Sequence, residues 1–162
     1  INDKPELFNE IAMVVAKDVA ETLAKVPTDN NPRVLSLLPQ SDVAKANLSG
    51  SDMGVIIDEL NGINVASALS TDIEATRVDI DIETIFAENP EIILIQCLSS
   101  EEEARSNIEA LFGDSPVWAS LDAVKNDKVY YMPKSLFHNR PNRSYGESYK
   151  MMAEILYPDL EF

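Results

Sequence analysis

Ile92-Ile93-Leu94-Ile95-Gln96-Cys97, followed after Leu98 by Ser99-Ser100-Glu101-Glu102-Glu103, decides the fold. The first block is apolar and rich in β-branched residues, with no polar side chain before Gln96, which predicts a central parallel strand covered on both faces. The second opens a helix, because Ser100 and Glu103 have the spacing of a capping box, and the helix should run to about Phe112. Strand followed at once by helix is one βα unit, and the pattern recurs on either side. Upstream, Arg33-Val34-Leu35-Ser36-Leu37-Leu38 reads as a buried strand ended by Pro39. Gln40 to Asp52 reads as a polar loop, and Met53, Val55, Ile56, Ile57 and Leu60 as a helix closed by Gly62 in the left-handed cap position. Thr76 to Ile80 is a second strand, and Asp81 caps a short helix that stops at Asn89, before Pro90. Downstream, Leu121 to Lys125 gives one or two helical turns. Val129-Tyr130-Tyr131-Met132 is the last strand, closed by Pro133, and a final helix runs from about Asn142 to Tyr157 with Tyr149, Met152, Ala153 and Leu156 on one side. At the front, Leu7, Ile11, Val15, Val19 and Leu23 recur at the helical period and predict a long amphipathic helix from Pro5 to about Val26. The expected fold class is therefore α/β: a doubly wound, mostly parallel sheet with helices on both faces, preceded by a long helix.

The 162 residues carry 13 basic and 28 acidic side chains, a formal net charge of −15, which repels nucleic acid and anionic membrane over the whole surface. A hydrophobic fraction of 45% with only 5 Gly and 9 Pro is that of a globular chain, not a disordered or fibrous one. One Cys excludes an intramolecular disulfide and a multi-cysteine metal site. The longest apolar run, Ile11 to Ala16, is too short to enter a bilayer as a span. The sequence opens Ile-Asn-Asp-Lys-Pro with no targeting segment and reads as a piece of a longer protein.

In doubly wound sheets ligands sit at the carboxyl ends of strands, so the loops after Leu38, Ile80, Cys97 and Met132 are the places to look. Gly50-Ser-Asp-Met-Gly54 sets its Ser one position too early for a nucleophile elbow, and phosphate-binding and dinucleotide glycine loops are absent. With one His, a histidine-based metal site or relay lacks its components, and Cys97 ends an apolar strand as an inert buried thiol. No catalytic residue, resident metal or cofactor is expected. The informative feature is a reversal of charge. Between Asp127 and Glu147 there is no acid, whereas Lys128, Lys134, His138, Arg140 and Arg143 fall there. Arg140 and Arg143 stand before the last helix, where guanidinium forks grip an anion or, alternatively, pair with the acidic surface. Phe137 and Tyr145 are aromatic neighbours suited to line a ligand face, while Tyr149 belongs to the core. Glu83, in the first turn of its helix, is explained by the helix dipole alone.

Three ordered motifs add a resemblance. Ile80-Asp-Ile-Glu83-Thr-Ile-Phe-Ala-Glu-Asn-Pro90 leading into Ile92–Ile95, Pro116-Val-Trp118 through Leu121 and Val124-Lys125 to Val129-Tyr130, and Arg140-Pro-Asn142-Arg143 to Leu156-Tyr157-Pro158 resemble the iron-siderophore, haem and cobalamin class of ABC-transporter solute-binding proteins. Asn61-Gly62-Ile-Asn64-Val65-Ala66 is similar to a further motif of that family, with Asn61 in place of its first glycine. The resemblance implies that residues 1–27 form the long interlobe helix, that 33–162 form the C-terminal α/β lobe, and that the N-terminal lobe is absent from this sequence. It implies a non-catalytic importer component outside the cytoplasmic membrane, in the periplasm or on the outer face of the cell membrane as a lipoprotein. The cargo would be an iron compound, a ferric siderophore or other anionic metal chelate, held in an interlobe cleft. Arg140, Asn142, Arg143, Tyr145, His138 and Ser99 are the expected ligand contacts, and Glu83 takes the position that docks on the permease transmembrane subunits. The competing reading is a metallochelatase-like or metal-cluster enzyme lobe of similar architecture, which would need His or Cys in the strand-end loops, where His138 stands alone.

Overall fold

The strand at 92–96 is central. In the computed structural model, which describes residues 5–72, 74–138 and 143–162 (5–8 as backbone only), β5 (Ile92–Gln96) lies between β1 (Arg33–Pro39) and β6 (Val129–Met132), parallel to both. Ile93 pairs with Leu35 and Val129, and Ile95 with Leu37 and Tyr131. Alternate residues face opposite sides, which accounts for an unbroken apolar run. Leu35, Leu37, Ile93 and Ile95 pack with Ile85 of α3 (Ile82–Glu88) and with Ala104 and Ile108 of α4 (Glu101–Ile108). Val34, Ile92 and Leu94 pack on the other face with Met53, Ile56 and Ile57 of α2 (Asp52–Glu59) and Met152 and Leu156 of α8 (Tyr145–Leu156). Ile93, Leu94 and Ile95 are fully buried, and each such side chain contributes about 1.5–3 kcal/mol of burial free energy.

The sheet is mixed. β2 (Ala44–Asn47), inside the segment read as a loop, pairs antiparallel with the end of β1 and with β4 (Arg77–Ile80), giving the order β4-β2-β1-β5-β6. Ala-Lys-Ala-Asn has little strand propensity. Pairing along both edges and a turn closed by Gln40 N–H donating to the Val43 carbonyl at 2.9 Å make it a strand. The start of β1 on the same edge pairs parallel with β3 (Ile63–Asn64).

The end of α2 also departs from expectation. The left-handed residue is Asn61, at φ 57°, whose side-chain amide donates to the Pro27 carbonyl at 3.1 Å. Gly62 serves close packing instead, since a Cβ there would stand 3.0 Å from Ile57 Cγ2 and 3.1 Å from Leu156 Cδ2.

Ser100 Oγ accepts from Glu103 N–H at 3.1 Å, and α4 runs on through a π turn, Glu109–Gly113, in agreement with the expected end near Phe112. Short helices α5 (Pro116–Ser120) and α6 (Asp122–Lys125) precede β6, and α7 (Lys134–Phe137), not foreseen from sequence, follows it. The amino-terminal helix α1 (Pro5–Leu23) lies along α8, where Gly146 permits close approach: a Cβ there would come 2.7 Å from Asp18 Cβ. Val19 and Leu23 join the core, but Ile11, Met13 and Val14 remain 38, 73 and 59% exposed. No helix among the described residues is long and apolar enough to cross a membrane.

Candidate ligand-facing site at the strand ends

β1 and β4 each run antiparallel to β2, so they are parallel to one another and to β5 and β6. The segments leaving Pro39, Ile80, Gln96 and Met132 therefore emerge at one end of the sheet. Between the loop after β5 and the start of α7 lies a hollow of about 450 Å³, walled by Cys97, Ser99, Glu101, Tyr131, Pro133 and Lys134. Ser99, an expected ligand contact, is exposed on its rim. Glu101 is engaged by Arg105, 2.7 Å away, and the guanidinium in turn lies 3.9 Å over the Tyr131 ring, which fixes one wall. Cys97 is buried, and burial, reinforced by the Glu101 charge, pushes its thiol above the ordinary range. It stays protonated and unsuited to nucleophilic chemistry. Another hollow, of about 700 Å³ and bordered by Arg105 and Trp118, extends toward Asp127 and Val129 at the entry end of β6, away from the converging loops.

The other expected contacts divide. Arg143 and Tyr145 line a separate groove of about 640 Å³ between α1 and α8, with Glu59, Tyr149, Val15 and Val19. Tyr145 stands edge-on to Tyr149, centroids 5.1 Å apart, and the buried Tyr149 hydroxyl donates to the Glu59 carboxylate. Desolvation, then that hydrogen bond, raises the Tyr149 phenol. Arg140 and Asn142 lie outside the described residues. His138 ends α7, its N–H donating to the Lys134 carbonyl at 3.0 Å, and its Nδ1 is buried without a hydrogen-bond partner among the described residues. Phe137, expected at a ligand face, is instead buried in the core with Met132 and Tyr149, because α7 turns its apolar side onto the sheet.

Glu83 is exposed in the first turn of α3, on the same end of the molecule as the other strand-end segments. Asp81 Oδ1 accepts from Thr84 N–H at 2.8 Å, and this bonding holds the Asp81 carboxyl below its usual range. Phe86, one turn on and 54% exposed, was not singled out by sequence. Its apolar spacing looks like that of a core residue, and only the helix orientation reveals it.

Sequence reasoning also missed a buried polar chain under these loops. Arg77 Nε donates to Asn47 Oδ1 at 2.9 Å. Asn47 Nδ2 donates to Ser36 Oγ at 2.9 Å and to Gln96 Oε1 at 3.2 Å, and Gln96 Nε2 donates to the Phe137 carbonyl at 2.5 Å. Ser36, Asn47 and Gln96 are all buried, so these bonds satisfy groups that water does not reach.

A mostly parallel sheet with helices on both faces and strand-end loops around a hollow is the α/β architecture in which ligands sit at the carboxyl ends of strands. The chain belongs to the periplasmic binding protein family, whose model matches residues 5–136. Comparison with curated protein sequences gives no match. Among solved structures, an ABC transporter substrate-binding protein from Listeria monocytogenes EGD-e is 23% identical, with TM-score 0.80 over 96% of this chain and 59% of its own. The periplasmic haem-binding protein RhuT from Roseiflexus sp. RS-1, in apo form, is 20% identical, with TM-score 0.79 over 96% of this chain and 57% of its own. IsdE of S. aureus, complexed with haem, is 20% identical, with TM-score 0.78 over 92% of this chain and 57% of its own. The chain spans 59% or less of the length of each of these relatives.

Proposed function

We propose that this chain is the C-terminal lobe and interlobe helix of an ABC-importer substrate-binding protein, working outside the cytoplasmic membrane. It captures an iron compound, a ferric siderophore-like or other anionic metal chelate, in a cleft formed with a second lobe and delivers it to the permease without transforming it. The observation that carries this reading is the gathering of four strand-end segments at one end of the sheet, with a ready hollow whose rim takes Ser99 from the loop after β5 and Lys134 from the acid-free stretch after Asp127. The uncovered apolar residues Ile11, Met13 and Val14 support an interlobe role for α1, since a helix face of this kind is left for a partner surface to bury. Haem and iron-hydroxamate systems among the structural relatives favour an iron cargo: one is haem-bound, and another, from Saccharomonospora viridis, is named for Fe3+-hydroxamate transport.

Calorimetric titration of the full-length protein with haemin and with a ferric trihydroxamate tests the reading. One of them should bind, and replacing Arg140 and Arg143 together by Ala should weaken that binding by more than tenfold, about 1.4 kcal/mol. Binding of neither chelate, or turnover of one, overturns it.

A further inference from the structure

The buried chain from Arg77 to Phe137 has a fixed direction. A guanidinium can only donate, so Asn47 must turn its Oδ1 toward Arg77 and its Nδ2 toward Gln96. Gln96 must then present Oε1 to Asn47 and Nε2 to the far side. There it meets a backbone carbonyl, which can only accept. Each of the two ends independently demands the same orientation of both amides, so neither amide can flip without setting two acceptors or two donors face to face. Gln96 is 1% exposed and closes an otherwise apolar strand. A hydrocarbon there would be the ordinary choice, and a polar group at that depth is tolerated because both its amide oxygen and its amide nitrogen find a partner. The carbonyl it holds belongs to Phe137, the last residue of the single-turn helix α7 and immediately before His138, and among the described residues this is the one hydrogen bond from that helix end to the central strand's side chains.

We infer that Arg77, Asn47 and Gln96 form a positioning chain that pins the Phe137 carbonyl and so fixes the turn bearing His138, one of the expected ligand contacts. Arg77 sits on the exposed edge strand, Gln96 on the central one, and Asn47 joins them across β2 and β1. The order of donor and acceptor, rather than bulk, is what the chain transmits. The inference rests on the proposed cargo role for its effect on binding, but not for its effect on His138.

The test uses the full-length protein with three substitutions. Arg77→Glu places an acceptor where the chain requires a donor. Arg77→Lys keeps a donor, and Lys45→Glu, at the half-buried neighbouring position where Lys45 pairs with Asp79, makes the same change of charge outside the chain. The readouts are the imidazole NMR signal of His138, assigned by its loss in His138→Gln, and affinity for haemin and a ferric trihydroxamate. Arg77→Glu should shift or split the His138 signal and weaken chelate binding at least fivefold, while Arg77→Lys and Lys45→Glu leave both near wild type. Gln96→Met, which removes the link without changing charge, should reproduce the Arg77→Glu signal. Should it not fold, Gln96→Asn, too short to reach the carbonyl, takes its place. An unchanged His138 signal in Arg77→Glu and in the folded Gln96 variant overturns the inference, as does Arg77→Lys behaving like Arg77→Glu. If wild type binds neither chelate, the cargo reading falls, and the His138 signal still decides the positioning chain.

Discussion

Gly54 lies inside α2, where exchanging glycine for alanine ordinarily stabilises a helix by about 0.5–1 kcal/mol. Here the sign reverses. A Cβ on Gly54 would stand 2.0 Å from the Leu48 carbonyl oxygen, 2.7 Å from its carbon and 2.8 Å from Ser49 Cα, all of them backbone atoms. Restoring ordinary contact at 3.4 Å means moving that carbonyl by more than an ångström. The carbonyl is not free to move: it accepts from Ser51 N–H at 2.9 Å and Ser51 Oγ at 2.7 Å, while Leu48 N–H donates to the Thr76 carbonyl at 2.9 Å. Ser51 Oγ also accepts from Gly54 N–H at 3.0 Å as the helix cap. Overpacking costs about 1–3 kcal/mol and loss of the cap about 1 kcal/mol. Set against the propensity gain of about 0.5–1 kcal/mol, Gly54→Ala should destabilise by about 2 kcal/mol, equivalent to about 4–8 °C in melting temperature for a chain of this size. Urea unfolding followed by circular dichroism measures it, as a lower midpoint at unchanged slope. A midpoint equal to or above wild type would show that the loop yields freely and refute the steric argument.

Cys97 should label slowly with a disulfide reagent in the native protein and rapidly in urea, and its native rate should climb with pH later than that of a free thiol, because its ionisation is pushed upward. A native rate at about pH 8 within a few-fold of the unfolded rate would contradict the burial described. Glu83→Ala should leave chelate affinity unchanged and reduce import into cells carrying the cognate permease. Normal import would remove the docking role of this exposed carboxylate.

What was legible in the sequence followed from runs whose meaning is local. Ile92 to Cys97 announces a strand buried on both faces, Ser100 and Asp81 announce helix starts, and Tyr149, Met152, Ala153 and Leu156 mark a packed side at helical spacing. What was not legible depends on partners far away in the chain. Ala44–Asn47 is a strand because β1 and β4 flank it, not because of its own residues. Ser51, noticed first as a misplaced nucleophile, is a cap. Ser36, Asn47, Arg77 and Gln96 come from four separate strands, and each looks like an isolated polar residue until the sheet assembles them. The site shows the same division: the loop carrying Ser99 could be located from strand order alone, whereas the position of Arg143 and Tyr145 against α1 required knowing how α8 docks.

The central pairing of the sheet sets a schedule for synthesis. β1 and β2 close as neighbours in the chain, but Leu35 finds Ile93 only 58 positions later. As the polypeptide leaves the ribosome, the apolar β1 hairpin therefore has one edge open through all of α2, β3, β4 and α3 before β5 arrives to fill it. Such an edge is a template for the wrong strand. Recovery of this protein from the cell should accordingly depend on how quickly residues 40–91 are translated and on whether a holding chaperone guards the hairpin meanwhile, much more than on the stability of the finished fold.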